Sequence, residues 1–206
     1  MSQLAFDHRL SKLEIKQLPA YKGLGLNAIK IIRQESDICD VSRRILTADV
    51  VGFDTETKPT FQAGRQPNSV NLVQVANQHG ALLLRVDEGN LSAVVQQLVG
   101  SKKILKVGFG LNQDKKQLMR LFGASLENAK DLAGLFSQFD IEQRVGAQAA
   151  VALTLGQHLR KSKKVQLSNW ASKELSRSQI LYAANDAYCA YEVYLKLLTI
   201  TKNFTE

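Results

Sequence analysis

Two short motifs contain the side chains of this sequence that are best suited to chemistry. Asp54 follows directly after the apolar run 50–53, and Glu56 comes two residues later. Near the other end of the chain, Tyr182 precedes Asp186 by four residues. Residues two apart on a strand project from the same face, and residues four apart on a helix lie about one turn apart. Each motif would therefore hold its two side chains together, as a metal-assisted phosphodiesterase site requires.

A third acid, Asp114, is predicted to lie in the first turn of a helix that follows a strand. The helix dipole favours an acid there, so this position alone is equally typical of an ordinary helix start. Two carboxylates ~4 Å apart repel each other by ~4 kcal/mol at an effective dielectric constant near 20. A divalent cation would offset this repulsion. Ligands that are all oxygen favour Mg²⁺ or Mn²⁺ over Zn²⁺, because no Cys or His accompanies the acids.

The apolar pattern predicts the elements that position these residues. Runs rich in β-formers predict strands, and apolar residues at helical spacing predict helices. The predicted strands cover 28–32, 50–53, 70–76, 81–86 and 104–109, with a hairpin turn at 77–80. The predicted helices cover 37–46, 91–99 and 112–122, followed by an all-helical remainder. Strands first and helices after indicate an α/β or α+β domain in which helices flank a mixed β-sheet.

Two of the predicted helices have recognisable start signals. Ser36 is the candidate cap of the helix at 37–46. Ser176 and Gln179 form a capping box, after which an apolar stripe continues to about residue 200. The last helix should therefore lie with its apolar face against the sheet.

Composition limits the classes of protein to which the chain can belong. Its 206 residues, 45% of them hydrophobic, predict one domain over 1–206, with residues 1–27 as an arm packed on it. The formal net charge of +8 favours a polyanionic partner such as nucleic acid, although an anionic membrane surface would attract it similarly. No apolar stretch approaches the ~18 residues that span a bilayer, and the first residues lack the order of a signal peptide. We therefore expect a cytoplasmic protein without a membrane partner.

A cluster of cations precedes the last helix. The segment 160–164 has four cations in five residues, which is typical either of a solvated loop or of a surface that contacts phosphates. Trp170 is a candidate for the core or for the lining of a substrate site. The predicted substrate-binding residues are Lys58, Lys161, Lys163, Lys164 and Trp170.

With these motifs the chain resembles the 3′-5′ exonucleases of the DEDD superfamily, in the DEDDy subgroup with a tyrosine in the third motif. It is most similar to the Werner-type exonuclease domain. The resemblance spans roughly residues 30 to 200 and rests on the segments 51–56, 106–114, 167–170 and 182–186. It implies a ribonuclease H-like core with the site at the edge of the sheet. One departure is Thr57, where the Werner-type motif often has an aromatic residue, so base stacking at this position is not expected.

The resemblance also implies a role for each site residue. Asp54 would bridge two ions, and Glu56 and Asp186 would complete the first of them. Asp114 would support the second ion, largely through water, and Tyr182 would orient the attacking water. The implied reaction releases nucleoside 5′-monophosphates from nucleic acid with a free 3′ end, with DNA favoured and RNA possible. A ribonuclease D-like or oligoribonuclease-like RNA enzyme, and a catalytically silent nucleic-acid-binding module, remain alternatives, and the oligomeric state stays open.

Overall fold

The computed structural model describes residues 10–60, 68–86, 91–139, 141 and 143–202. Six strands and seven α-helices lie within these ranges. The strands are β1 (Ile29–Ile32), β2 (Val50–Thr57), β3 (Val70–Asn77), β4 (Gly80–Arg85), β5 (Leu105–Gly108) and β6 (Ala129–Asp131). The helices are α1 (Lys12–Gln17), α2 (Asp40–Leu46), α3 (Ser92–Gly100), α4 (Asn112–Phe122), α5 (Ala147–Leu155), α6 (Lys163–Gln166) and α7 (Arg177–Lys202).

The strands form one mixed sheet in the order β1-β4-β3-β2-β5-β6. Of these strands, β3 runs antiparallel to both its neighbours, and the other pairs are parallel. All eight residues of β3 are buried, because helices cover both faces of the sheet at this strand. The predicted mixed sheet flanked by helices is therefore confirmed.

Helices pack on both faces and enclose the core. On one face, Phe53 and Val73 of the sheet pack with Val95 of α3 and Leu118 of α4. On the other face, α7 crosses β2, β3, β4 and β5. A Cβ atom on Gly52 would lie only 1.8 Å from the carbonyl oxygen of Ala187, so the absence of a side chain at Gly52 lets α7 approach β2. This close approach brings the motif at 182–186 beside the motif at 54–56.

Several element boundaries differ from the prediction for physical reasons. Strand β2 continues to Thr57 because its antiparallel pairing with β3 extends past the apolar run. Helix α2 begins at Asp40 after Cys39, whereas the predicted cap Ser36 lies in a single 3₁₀ turn. The remainder after residue 122 is not all helical, because Ala129–Asp131 pairs with β5 as an edge strand. The capping box that begins α7 is confirmed: Ser176 N–H donates to Gln179 Oε1, and Gln179 N–H donates to Ser176 Oγ.

Among the described residues, no helix is both long and apolar enough to cross a bilayer.

Candidate active site

Strand β2 and helix α7 bring the two sequence motifs together. Glu56 is buried and Asp54 is half-buried, with the Asp54 Oδ1 accepting a hydrogen bond from the Thr55 N–H at 2.9 Å. Asp186 is also buried, and Tyr182 lies one helical turn earlier on α7. The motif residues thus meet where the middle of the sheet contacts α7.

Asp114 reaches the same cluster from the first turn of α4. It is buried, and the hydroxyl of Thr55 donates a hydrogen bond to its carboxylate. Two residues further along β2, the Thr57 hydroxyl donates to Gln117 Oε1 at 2.9 Å. The two threonines therefore hold α4 against β2. Sequence reasoning passed over Thr55 and Thr57 as positioning residues, although their alternation with the acids was a signal that they face the opposite side of the strand.

The acids share one electrostatic environment. Burial, followed by the charges of Asp114 and Asp186, raises the pKa of Asp54 well above its ordinary value. Burial and the charge of Asp54 raise the pKa of Glu56 to about 9. Burial also raises the pKa values of Asp114 and Asp186. In the absence of a bound cation Glu56 therefore retains its proton at neutral pH.

Lys161 lies inside this acidic cluster. Its Nζ is 2.9 Å from Asp186 Oδ2 and 5.7 Å from the centroid of the Tyr182 ring. Burial lowers the pKa of the Lys161 ammonium group, but the charges of Asp186 and Asp54 more than offset this, and the net shift is upward. Lys161 therefore remains charged and partly neutralises the carboxylates.

The other predicted substrate-binding residues lie in different surroundings. Lys163 and Lys164 are exposed at the start of α6. Lys58 is exposed beyond the end of β2, where its backbone N–H donates to Asn71 Oδ1 at 2.9 Å. Lys161 therefore lies in the acidic cluster, whereas Lys163 and Lys164 lie at the exposed surface, although all three were predicted to contact phosphates.

The position of Trp170 corrects the prediction that it lines the substrate site. The side chain is completely buried, and its Nε1 donates to the carbonyl of Gln166 at 3.0 Å. Its ring centroid lies 6.1 Å from that of Tyr182, with the rings tilted by 47°. Because no part of the indole reaches the surface, Trp170 packs beside the Tyr182 ring in the interior of the protein.

Gln74 is a polar residue at this site that sequence reasoning missed. It lies directly opposite Asp54 in the β2–β3 ladder and is fully buried. Neither atom of its side-chain amide has a hydrogen-bond partner among the described residues. A buried unpaired amide is costly, so its position beside Asp54 indicates a role in the polar site. The signal in the sequence was a Gln in the middle of an apolar strand.

The donor set suits a hard divalent cation. Four carboxylates and no sulfur or imidazole ligand are typical of Mg²⁺ or Mn²⁺ sites. Among the described residues, no three Asp, Glu, His or Cys side chains are arranged to hold an ion. Lys161 instead supplies positive charge at Asp186 in this arrangement. The chemistry of the donors therefore fits divalent cations, and the ion pair with Lys161 is the contact with which a cation would compete.

Comparisons with known proteins identify sequences to which this chain is similar. A family model described as 3′-5′ exonuclease matches residues 29–202. The mouse bifunctional 3′-5′ exonuclease/ATP-dependent helicase WRN is 29% identical over 160 residues, which are 77% of this chain and 11% of that protein. A 3′-5′ exonuclease of Arabidopsis thaliana is 26% identical over 195 residues, which are 90% of this chain and 68% of that protein.

Solved structures show the same fold. The EXO domain of Aedes aegypti Nibbler superposes with a TM-score of 0.74 at 23% identity, covering 88% of this chain and 92% of that domain. Escherichia coli RNase D superposes with a TM-score of 0.71 at 18% identity, covering 85% of this chain and 45% of that one. The predicted ribonuclease H-like fold class is confirmed. Because the family model covers most of the chain, the chain belongs to the 3′-5′ exonuclease family.

Proposed function

We propose that this protein is a DEDDy-type 3′-5′ exonuclease that hydrolyses the terminal phosphodiester of nucleic acid and releases nucleoside 5′-monophosphates. The observation that supports this best is the meeting of the half-buried Asp54 with the buried Glu56 and Asp186 in one cluster. A structural ion pair would need one acid and one base, whereas this cluster has an excess of acids with raised pKa values. Such an excess is expected where cations bind.

The four carboxylates are the proposed ligands of two divalent cations, Mg²⁺ or Mn²⁺. Asp54 is central, because the charges of both Asp114 and Asp186 act on its carboxyl group. The bound cations would supply the Lewis-acid chemistry, activating water and stabilising charge on the phosphate. Thr55 holds the carboxylate of Asp114 in place through its hydroxyl.

Tyr182 is proposed to orient the attacking water. Burial and the charge of Asp186 raise the pKa of its phenol above the ordinary value of 10.0, so the hydroxyl keeps its proton at neutral pH. A protonated phenol is a hydrogen-bond donor and a poor general base. Trp170 and Lys161 limit the movement of the ring from two directions. Tyr182 therefore positions a water molecule and does not deprotonate it.

Substitution of Asp54 tests the proposed activity. A single-stranded DNA oligonucleotide labelled at its 5′ end should shorten progressively from its 3′ end in the presence of Mg²⁺. Asp54→Ala should abolish this digestion while the circular dichroism spectrum stays that of the wild type. Asp49→Ala is the matched control, because Asp49 is an exposed acid just before the same strand. Full activity of Asp54→Ala would contradict the proposal, and binding without digestion by the wild type would favour a catalytically silent module.

DNA with a free 3′ end is the favoured substrate, and RNA is the second candidate. The fold likeness to RNase D leaves RNA open without deciding the sugar. Discrimination between the sugars depends on contacts to the 2′ position. Digestion of DNA, RNA and dinucleotides side by side under the same salt conditions would separate a DNA exonuclease from a ribonuclease D-like or oligoribonuclease-like enzyme.

A further inference from the structure

A segment that precedes the family match is attached to the loop before Lys161. The match begins at residue 29, yet Tyr21 N–H donates to the carbonyl of His158 at 3.1 Å, and His158 N–H donates to the carbonyl of Pro19 at 2.8 Å. The Lys22 N–H donates to Gln157 Oε1 at 2.9 Å. These bonds join the N-terminal segment to the loop that leads to the cations at 160–164.

The same segment is attached to the helix that holds Asp186. The side chain of Asn185 accepts a hydrogen bond from the Leu24 N–H at 2.6 Å and donates to the Leu24 carbonyl at 3.2 Å. The Tyr21 hydroxyl donates to Glu192. A Cβ atom on Gly23 would lie only 1.9 Å from Asn185 Oδ1, so this contact leaves no room for a side chain at Gly23. Residues 20–24 are therefore a fixed part of the surroundings of the catalytic acids.

A cleft of about 480 Å³ lies between this segment and α7. Its lining includes Tyr182 and Asp186, so it borders the reacting groups. Lys22 and Arg160 contribute cations, and leucines at 24, 159 and 181 contribute apolar surface. Cations that contact phosphates beside apolar surface that contacts bases are typical of sites for single-stranded nucleic acid. The volume lies within the ~300–1,000 Å³ range of small-ligand sites, which suits one nucleotide.

A second cleft, of about 510 Å³, lies on the other side of Lys161. Helix α1 contributes Lys12 and the buried Ile15 to it, and residues 146–149 at the start of α5 form the opposite side. Lys161 lines this second cleft, and its ion-pair partner Asp186 lines the first. The N-terminal segment thus forms part of both clefts, and the Lys161–Asp186 pair lies between them.

We propose that residues 10–24 form the outer wall of a groove for single-stranded nucleic acid, and that Lys22 contacts a backbone phosphate beside the scissile bond. This inference rests on the proposed exonuclease function of the same site. The apolar surface beside the cations of this cleft suits an unpaired strand, whose bases are free to contact the leucines. The segment would therefore make the enzyme prefer single-stranded 3′ ends over the ends of a duplex.

The phosphate contact is tested by removing one charge. Lys22→Met is compared with Lys30→Met, because Lys30 is also exposed, lies on the edge strand β1 and lines neither cleft. Binding of a single-stranded DNA oligonucleotide is measured by fluorescence anisotropy over a range of salt concentrations, with Asp54→Ala also present in each protein to prevent digestion. Lys22→Met should weaken binding and lower the salt slope by about one unit. Equal effects of the two substitutions would contradict the proposed contact between Lys22 and a backbone phosphate.

The wall is tested by displacing it. Gly23→Ala should force the segment away from Asn185, whereas Gly100→Ala is a matched control with open space around the added methyl group. Hydrogen exchange at residues 18–25 reports the displacement. We expect Gly23→Ala to lower the ratio of single-strand to duplex digestion, through a higher KM for single strands. If the segment is displaced and this ratio is unchanged, the proposed role of residues 10–24 as a wall of the groove would be contradicted. A wild-type protein that digests neither substrate would instead contradict the proposed exonuclease function.

Discussion

The Nζ atom of Lys161 lies 2.9 Å from Asp186 Oδ2, so a cation from the loop before α6 contacts an acid of α7 within the carboxylate cluster. The two side chains are 28% and 5% exposed, so solvent screens this pair little. The charge of Lys161 also lowers the pKa values of Asp54 and Glu56, against the larger upward effects of burial. Lys161 is therefore an internal counter-charge of the acids.

Removal of Lys161 should strengthen the binding of divalent cations. Its ammonium group competes for an oxygen of Asp186, so Lys161→Met should raise the affinity for Mn²⁺ by about tenfold, or ~1.4 kcal/mol. Isothermal titration calorimetry or electron paramagnetic resonance measures this affinity without substrate. Lys163→Met is the control, because Lys163 is exposed and close in sequence. An affinity of Lys161→Met equal to or below that of the wild type would contradict the competition.

Protonation of Glu56 should make the stability of the cation-free protein depend on pH. Its pKa is about 9 in the folded protein, against an ordinary value of 4.5. Between these values the folded state binds more protons than the unfolded state, so the free energy of unfolding falls as the pH rises through this window. Urea denaturation in the presence of a chelator should show this fall, and Glu56→Gln should make it shallower.

The matched substitution for that experiment is Glu35→Gln, which removes an exposed acid. It should leave the pH dependence of the free energy of unfolding unchanged. If Glu56→Gln and the wild type had the same slope over this range, the raised pKa of Glu56 would be wrong.

Loss of the Tyr182 hydroxyl should slow the reaction without weakening cation binding. Tyr182→Phe keeps the ring that packs against Trp170 and removes the group that would orient water. We expect kcat to fall by about 100-fold, as is typical when a reacting group loses its correct position. Single-turnover digestion measures the rate, and Mn²⁺ titration measures cation binding. A normal rate would remove Tyr182 from the proposed mechanism.

The exposed cations of α6 should contribute to nucleic-acid binding without affecting the acids. Lys163→Gln combined with Lys164→Gln should weaken binding to all sequences alike and lower the salt slope by about two units, one for each phosphate contact. Anisotropy titrations at several salt concentrations measure both effects. Mn²⁺ affinity should not change, because neither lysine lies in the carboxylate cluster. A salt slope equal to that of the wild type would identify this segment as an ordinary solvated loop.

Much of the fold was predictable because it follows from relations between neighbouring residues. The alternation of residues on a strand placed Asp54 and Glu56 on one face, and the helical period placed Tyr182 near Asp186. The capping box at Ser176 was likewise visible as a local pattern. These relations depend on the geometry of a few consecutive residues, so they could be recognised before any tertiary contact was known.

Contacts between distant residues could not be recognised in this way. Lys161, Lys163 and Lys164 are alike in sequence, yet Lys161 meets an acid 25 positions away because the loop is bonded to residues 19–22. The sequence left open whether Trp170 lies in the core or lines the substrate site, and the tertiary packing buries it. The segment Ala129–Asp131 forms a strand because its backbone pairs with β5. Local geometry determines the face of its helix or strand from which a side chain projects. The packing of the helices and strands determines which partner that side chain contacts.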